Sequence, residues 1–288
     1  MPFRGILWRE GVLLKGPFGW GEYSPLPGYR PGTDRRCLEA ARRSATEPWP
    51  PPVRAKVPVH ATVPAVSARE AASIVRESGC NAAKVKVGEG DDEERVEAVR
   101  DALGTSGRLV VDANGVWDVD TAARMLERLS GYGVDVAEQP VATLQEMATL
   151  RRRVDIPIAA DESVGSPEDA RRVAELEAAD VLVIKVQPLG GVVEAMSVVE
   201  ASGLPAIVSS MLETSVGLAA GLALAAALPE LPYPCGLGSA ALLDGDVVAE
   251  PLVPRGGWLE LRRPEVDRPA LSRFRAEVKL PSDGKARV

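Results

Sequence analysis

Lys84 and Lys86 sit two apart in the run Ala82-Ala83-Lys84-Val85-Lys86-Val87. On a strand they share a face, with Val85 and Val87 on the other. Asp112 and Asn114 share a face in the same way in Val110-Val111-Asp112-Ala113-Asn114. Glu138, Asp161 and Lys185 follow, each at the end of a short apolar run. From Lys86 the steps to Asp112, Glu138, Asp161 and Lys185 are 26, 26, 23 and 24 residues, the length of one strand plus one helix each. Any one of these charges alone is equally well explained by a solvated strand end or an ion pair. Five of them on consecutive strands are not, because buried charge is costly unless it is paired or bound to a metal.

Three converging carboxylates need a cation. An all-oxygen donor set of Asp112, Glu138 and Asp161 suits Mg²⁺, or else Mn²⁺, with positions left for water and a substrate carboxylate. Zinc fits poorly, since no cysteine is placed to join and the single histidine, His60, falls mid-strand, where a packed and satisfied side chain is expected. One histidine also excludes hydrolase barrels that need several, and it argues against a Ser–His triad. A cation flanked by lysines points to removal of a proton next to a carboxylate, with the metal stabilising the enediolate that results. Lys86, nearer the strand's end than Lys84, is the expected base. The metal and the neighbouring Lys84 favour its neutral amine. Lys185 arrives from the opposite side, placed to stabilise the intermediate or protonate its far face.

The elements that must position these groups are legible from about Val57 onward. Strands are expected at 57–63, 82–87, 108–113, 135–139, 157–161, 181–187, 206–210 and 235–239. Helices are expected at 68–78, 92–103, 119–130, 144–153, 167–178, 193–201 and 215–228. Pro58 cannot donate to a ladder and is expected at the start of the first strand. Ser166-Pro167-Glu168-Asp169 is a helix start, and Ser67 with Glu70 has capping-box spacing. Eight strands joined by seven helical crossovers imply an α/β fold, a (β/α)7β TIM-type barrel with the charged residues at its C-terminal mouth. The competing doubly wound sheet often carries a glycine-rich phosphate loop, and Gly88-Glu89-Gly90 lacks the third glycine of one. Residues 1–55, with turn chemistry around Gly16–Gly21 and Pro25–Gly28, fall outside this rhythm. They are expected to form a small α+β capping domain, with residues 56–243 as the barrel and 244–288, including a strand at 258–261, as a tail packing with the cap.

Bulk properties agree with a globular enzyme. The net charge of -7 gives no reason to expect nucleic acid or membrane partners. Three widely spaced cysteines suggest neither a disulfide framework nor a structural zinc site, and a cytoplasmic setting fits them. The first residues lack a signal-peptide pattern. The alanine-rich run 216–228 is too short to span a bilayer and reads as a buried helix. The expected partner is a small-molecule carboxylate; the oligomeric state is not legible.

With Lys84-Val85-Lys86, Asp112-Ala113-Asn114, Glu138-Gln139-Pro140, Asp161-Glu162-Ser163 and Lys185 in place, the chain resembles the enolase superfamily, in particular its muconate-lactonizing-enzyme subgroup. Trp20-Gly21-Glu22 resembles part of that superfamily's capping domain. Within the subgroup, two further stretches resemble the o-succinylbenzoate synthase family of menaquinone biosynthesis. They are Ser209-Ser210-Met211-Leu212-Glu213-Thr214 and Gly236-Leu237-Gly238-Ser239 with Leu242-Leu243-Asp244. The Asp-x-Asp that dipeptide epimerases usually carry on the eighth strand is absent.

That resemblance implies a lyase: the syn dehydration of 2-succinyl-6-hydroxy-2,4-cyclohexadiene-1-carboxylate to 2-succinylbenzoate. Lys86 removes the α-proton and hands it to the departing hydroxyl, and Lys185 holds the ring by a cation–π contact. Asn114, Ser209, Ser210 and Gly236 are the candidate substrate contacts. A racemase of N-succinylamino acids, or another racemase or epimerase of the subgroup, uses the same lysines and stands as the alternative. A Schiff-base aldolase with Lys185 as nucleophile, and a barrel kept only for binding, are the remaining readings.

Overall fold

The computed structural model describes residues 6–28 and 30–275. The chain opens with an antiparallel hairpin, β1 (Val12–Gly16) and β2 (Gly19–Tyr23), followed by helix α1 (Thr33–Thr46), which packs across both strands. The packing is close because β2 offers glycine at the contact. A Cβ on Gly21 would lie 1.9 Å from the Ala41 carbonyl oxygen. The helix answers with small residues, burying Cys37, Ala40, Ala41 and Ala45.

β3 (Lys56–Pro58) leads into seven parallel strands in chain order: β4 (Ala61–Val63), β5 (Ala82–Lys86), β6 (Arg108–Asp112), β7 (Val136–Glu138), β8 (Ile158–Ala160), β9 (Val181–Lys185) and β10 (Ala206–Ser209). Between them run α2 (Ala68–Ser78), α3 (Asp92–Leu103), α4 (Val119–Ser130), α5 (Leu144–Arg151), α6 (Pro167–Glu175), α7 (Val186–Leu189) with α8 (Val192–Ser202), and then α9 (Ser215–Ala227). The caps fall where the sequence places them. Ser67 and Glu70 form a reciprocal capping box on α2, and the Ser166 side chain accepts from the Asp169 amide ahead of Pro167. The sheet curls until Cys235 bridges Val59 and Gly236 bridges Ser209, both in parallel, so the eighth staves are joined by single bridges.

The barrel's two faces separate cleanly. Ala83, Val85, Leu109, Val111, Ala137, Ile158, Leu182 and Ile184 face outward into the apolar layer shared with the helices. Val110, Val136, Ala159, Val181, Val183 and Ile207 form a second, inner cluster that fills the barrel. Strand alternation then carries each inward file from this apolar plug to a polar residue at its C-terminal end: Val110 to Asp112, Val136 to Glu138, Ala159 to Asp161, Val183 to Lys185 and Ile207 to Ser209.

Several expectations need correcting. The first strand is split: β3 pairs antiparallel with β11 (Trp258–Glu260), only β4 joins the barrel sheet, and His60 lies between them. Pro58 closes β3 rather than opening a strand, and its carbonyl accepts from the Cys235 amide. Val186 and Gln187, expected in the sixth barrel strand, turn instead into the short α7. The expected strand at 235–239 is reduced to its first two residues, because Ser239–Leu242 coils into a 3-10 turn. α1 was not expected, nor was the tail helix α10 (Arg268–Phe274). All thirteen residues of α9 are buried, as its composition implies, and no helix among the described residues is long and apolar enough to cross a membrane.

Candidate active site

The registers of β5, β6 and β7 bring the first charged residues into one layer: Lys86 pairs with Asp112 and Asp112 with Glu138. Lys84 reaches up from one pleat below. Its ammonium lies 2.6 Å from Glu138 Oε1 and 3.1 Å from Asp112 Oδ2. Lys185 arrives from β9 and holds both oxygens of Asp161, at 2.7 and 2.5 Å. Lys86 Nζ donates to Asn114 Oδ1 at 2.5 Å, and the Asn114 amide nitrogen donates on to Glu162 Oε1 at 3.0 Å. The three carboxylates and three lysines therefore do come to one mouth. They interleave, however: an ammonium stands between Asp112 and Glu138. Among the described residues no three acidic, histidine or cysteine side chains are gathered closely enough to hold an ion.

The electrostatics follow from that interleaving. Glu138 is buried and its pKa rises to about 8, first through burial and then through Asp112, against the opposing pull of Lys84. For Lys84 burial works to lower the pKa, but Asp112, Glu138 and Asp161 outweigh it and hold the ammonium charged. Lys84 is thus a fixed cation. The buried carboxylates are hard oxygen donors, the donor type that suits a divalent cation such as Mg²⁺.

Backbone strain marks the same rim. Asn114 and Gln139 follow Asp112 and Glu138 in the left-handed region, at φ 47° and 37°. The Gln139 side chain then spans two strand ends. Its oxygen accepts from the Asp161 amide at 2.9 Å and its nitrogen donates to Ser163 Oγ at 2.8 Å. Quoted only as a motif residue in the sequence, Gln139 emerges as the clamp that fixes Asp161.

A cavity of about 30 Å³ opens over Lys84, Asp112 and Lys185. Ser209, Ser210, Gly236 and Ser239 line one side, and Leu26, Met211 and Leu212 line the side toward the hairpin. Three of the four expected substrate contacts thus border it, while Asn114 holds Lys86 at the rim. Ser239, quoted in the sequence only as a motif residue, lies 2.8 Å from Ser210 Oγ, which donates to the Gly236 carbonyl. His60 is packed and satisfied as expected, and it also borders the cavity with Thr62, the residue two further along the same inward file. Burial, and then the Lys84 ammonium, lower its pKa to about 3, so the ring is neutral, with Nδ1 3.2 Å from the Ala61 carbonyl.

Residues 66–266 match the family described as "Enolase C-terminal domain-like", and residues 1–45 match "Enolase N-terminal domain-like". The o-succinylbenzoate synthase of Thermobifida fusca (strain YX) is 54% identical over 292 residues, spanning 99% of this chain and 91% of that protein. That of Mycolicibacterium smegmatis is 46% identical over 275 residues, spanning 93% and 84%. Among solved structures, muconate cycloisomerase from Pseudomonas fluorescens superposes with a TM-score of 0.80 at 24% identity, over 93% of this chain and 98% of that one. The muconate lactonizing enzyme of the same organism, complexed with muconolactone, gives 0.77 at 28% identity, over 86% and 74%.

Proposed function

We propose that this chain, which belongs to the enolase superfamily, is the lyase that forms 2-succinylbenzoate by dehydrating 2-succinyl-6-hydroxy-2,4-cyclohexadiene-1-carboxylate. The likeness to o-succinylbenzoate synthases along nearly the whole chain supports the choice of reaction. The observation that carries the chemistry is that lysines on β5 and β9 meet at one mouth, with carboxylates on the three strands between them.

In this reading the neutral amine of Lys86 takes the ring proton next to the carboxylate. The electron pair left behind forms the new ring double bond as the neighbouring C–O bond breaks. Lys86 then passes its proton to the departing hydroxyl, so water leaves from the same face and the ring becomes aromatic. Lys84, charged throughout, contacts the substrate carboxylate, and the Lys185 ammonium lies against the ring face. Asp112, Glu138 and Asp161 would hold Mg²⁺, which supplies positive charge at the substrate carboxylate while the proton is away. Ser209, Ser210 and the backbone at Gly236 receive the succinyl arm, and Asn114 orients Lys86. The three unpaired, buried cysteines suit a reducing cytoplasm, and the product places the reaction in menaquinone biosynthesis.

The test is to incubate purified protein with the cyclohexadiene acid and Mg²⁺ and follow the ultraviolet absorbance of the aromatic product. Turnover is expected. Absence of product, together with α-proton exchange of an N-succinylamino acid in deuterium oxide, would replace dehydration by racemisation.

A further inference from the structure

We propose that Asp92 and Arg95, an ion pair buried at the start of α3, are positioning residues that fix Lys86 in its reactive place; the proposal rests on Lys86 being the base. Neither side chain is catalytic, and neither belongs to the cluster at the mouth. Arg95 is 5% exposed and Asp92 6%, and they lie 2.9 Å apart. Everything else they bind is backbone of the two loops that leave β4 and β5. Arg95 Nη1 donates to the carbonyl of Lys86 itself at 2.9 Å, Nε to Val66 at 2.7 Å and Nη2 to Glu89 at 2.9 Å. Asp92 accepts from the amides of Gly88 at 2.7 Å and Glu89 at 3.2 Å.

A buried ion pair repays its desolvation only when its geometry is good and its remaining donors and acceptors are satisfied. Here that requirement has a directional outcome. Of five hydrogen bonds from this hub, four pin the Lys86 carbonyl, Gly88 and Glu89, and the fifth holds Val66. Gly88 is in the left-handed region at φ 94°, and a Cβ there would meet Val116 at 2.4 Å, so the loop's course depends on glycine at this position. Lys86 is the last residue of β5, so its Cα takes its position from the strand below and this hub above. Lys84 lies two residues deeper and is held by Asp112 and Glu138. Loosening the hub should therefore displace Lys86 and leave Lys84 where it is. A reacting group misplaced by about 1 Å costs on the order of 10²-fold in rate.

The experiment compares wild type with Arg95→Met, Arg95→Lys and Asp92→Asn, each assayed well below its own Tm. Arg95→Met is expected to lower kcat by about 30- to 100-fold with KM within threefold, the signature of a misplaced base rather than a lost binding contact. Arg95→Lys keeps the charge but cannot reach three carbonyls, and it should recover only part of the loss. Should Arg95→Met not fold, Asp92→Asn carries the test, with kcat expected to fall about tenfold at unchanged KM. A second readout needs no substrate. After reductive ¹³C-methylation, the Lys86 resonance, assigned through Lys86→Arg, should shift or broaden in the variants while that of Lys84 stays put. A kcat within threefold of wild type in folded Arg95→Met, or an unmoved Lys86 resonance, overturns the proposal. Wild type that turns over nothing sinks the proposed reaction instead and leaves the resonance to decide.

Discussion

The molecule buries acidic residues in two places and treats them in opposite ways. At the barrel mouth Asp112, Glu138 and Asp161 are met by lysine ammonium groups. At the seam between the N-terminal hairpin and the barrel, Glu22 and Glu213 are equally buried but are met chiefly by neutral donors. Glu22 accepts from Ser24 Oγ at 2.6 Å, from the amides of Thr214 at 3.2 Å and Gly217 at 2.9 Å, and from the Thr214 hydroxyl. Glu213 accepts from the Met211 amide at 2.6 Å and from Gln187 Nε2 at 3.2 Å, and Gln187 in turn holds Ser24. Burial pushes Glu213 up to about 7, with Glu22 adding to it, and the main pull back comes from the Met211 amide, where at Glu138 it comes from the Lys84 ammonium. Carboxylates matched by lysine ammonium groups can exchange partners when a substrate carboxylate arrives. Carboxylates locked to backbone amides cannot, and serve to join two parts of the chain.

If that contrast is right, the mouth should govern rate and the seam stability. Removing divalent cations with a chelator should have the largest effect, abolishing turnover until Mg²⁺ is returned; turnover that survives chelation would break the comparison at its root. Lys86→Met should follow, with kcat down by about 10³-fold, inside the range for loss of a general base, and a Tm close to wild type. A large drop in Tm with modest loss of rate would make the mouth a second seam. Glu22→Gln should behave in reverse. Each Glu22 oxygen receives two donors, so an amide nitrogen in either place leaves buried donors unanswered at about 1–3 kcal/mol each. The expected outcome is a Tm lowered by several degrees with kcat changed only a few-fold, read by thermal unfolding beside the ultraviolet assay.

The mouth was legible in the sequence and the seam was not, and the reason is local against distant information. A charged residue in an alternating valine-rich strand stands out by itself, and the βα spacing repeats it, so Lys84, Lys86, Asp112, Glu138, Asp161 and Lys185 could all be placed without coordinates. Their interleaving could not, since which ammonium meets which carboxylate depends on side-chain reach across the barrel. Glu22 and Glu213 are 191 residues apart and each sits in an ordinary turn-rich stretch, so nothing local pairs them. α1 was missed for a related reason. It starts from Gly32 without a side-chain cap, and its buried face is made largely of cysteine and alanine, too small to register as an apolar stripe beside four arginines and two acids. His60 is packed, as its place along the strand implies, and its inward phase with Thr62 puts it on the cavity wall as well.

The smallest effect is a pH dependence at the seam. Glu213 is held protonated up to about 7 in the folded chain, against 4.5 for an ordinary glutamate, so between those values the native state binds a proton that the unfolded state has lost. Stability from this group is therefore fully present below about pH 4.5 and declines as pH rises through 7, by on the order of 3 kcal/mol in all. Glu213→Gln cannot titrate, so its Tm should vary less between pH 5 and 8 than that of wild type, whatever the offset between the two curves. The sign is the informative part, because an acid whose pKa is lowered by its partners would lose stability on acidification instead. Parallel curves would mean that Glu213 is already ionised at pH 5, and that its amide and Gln187 partners stabilise a charge there against burial.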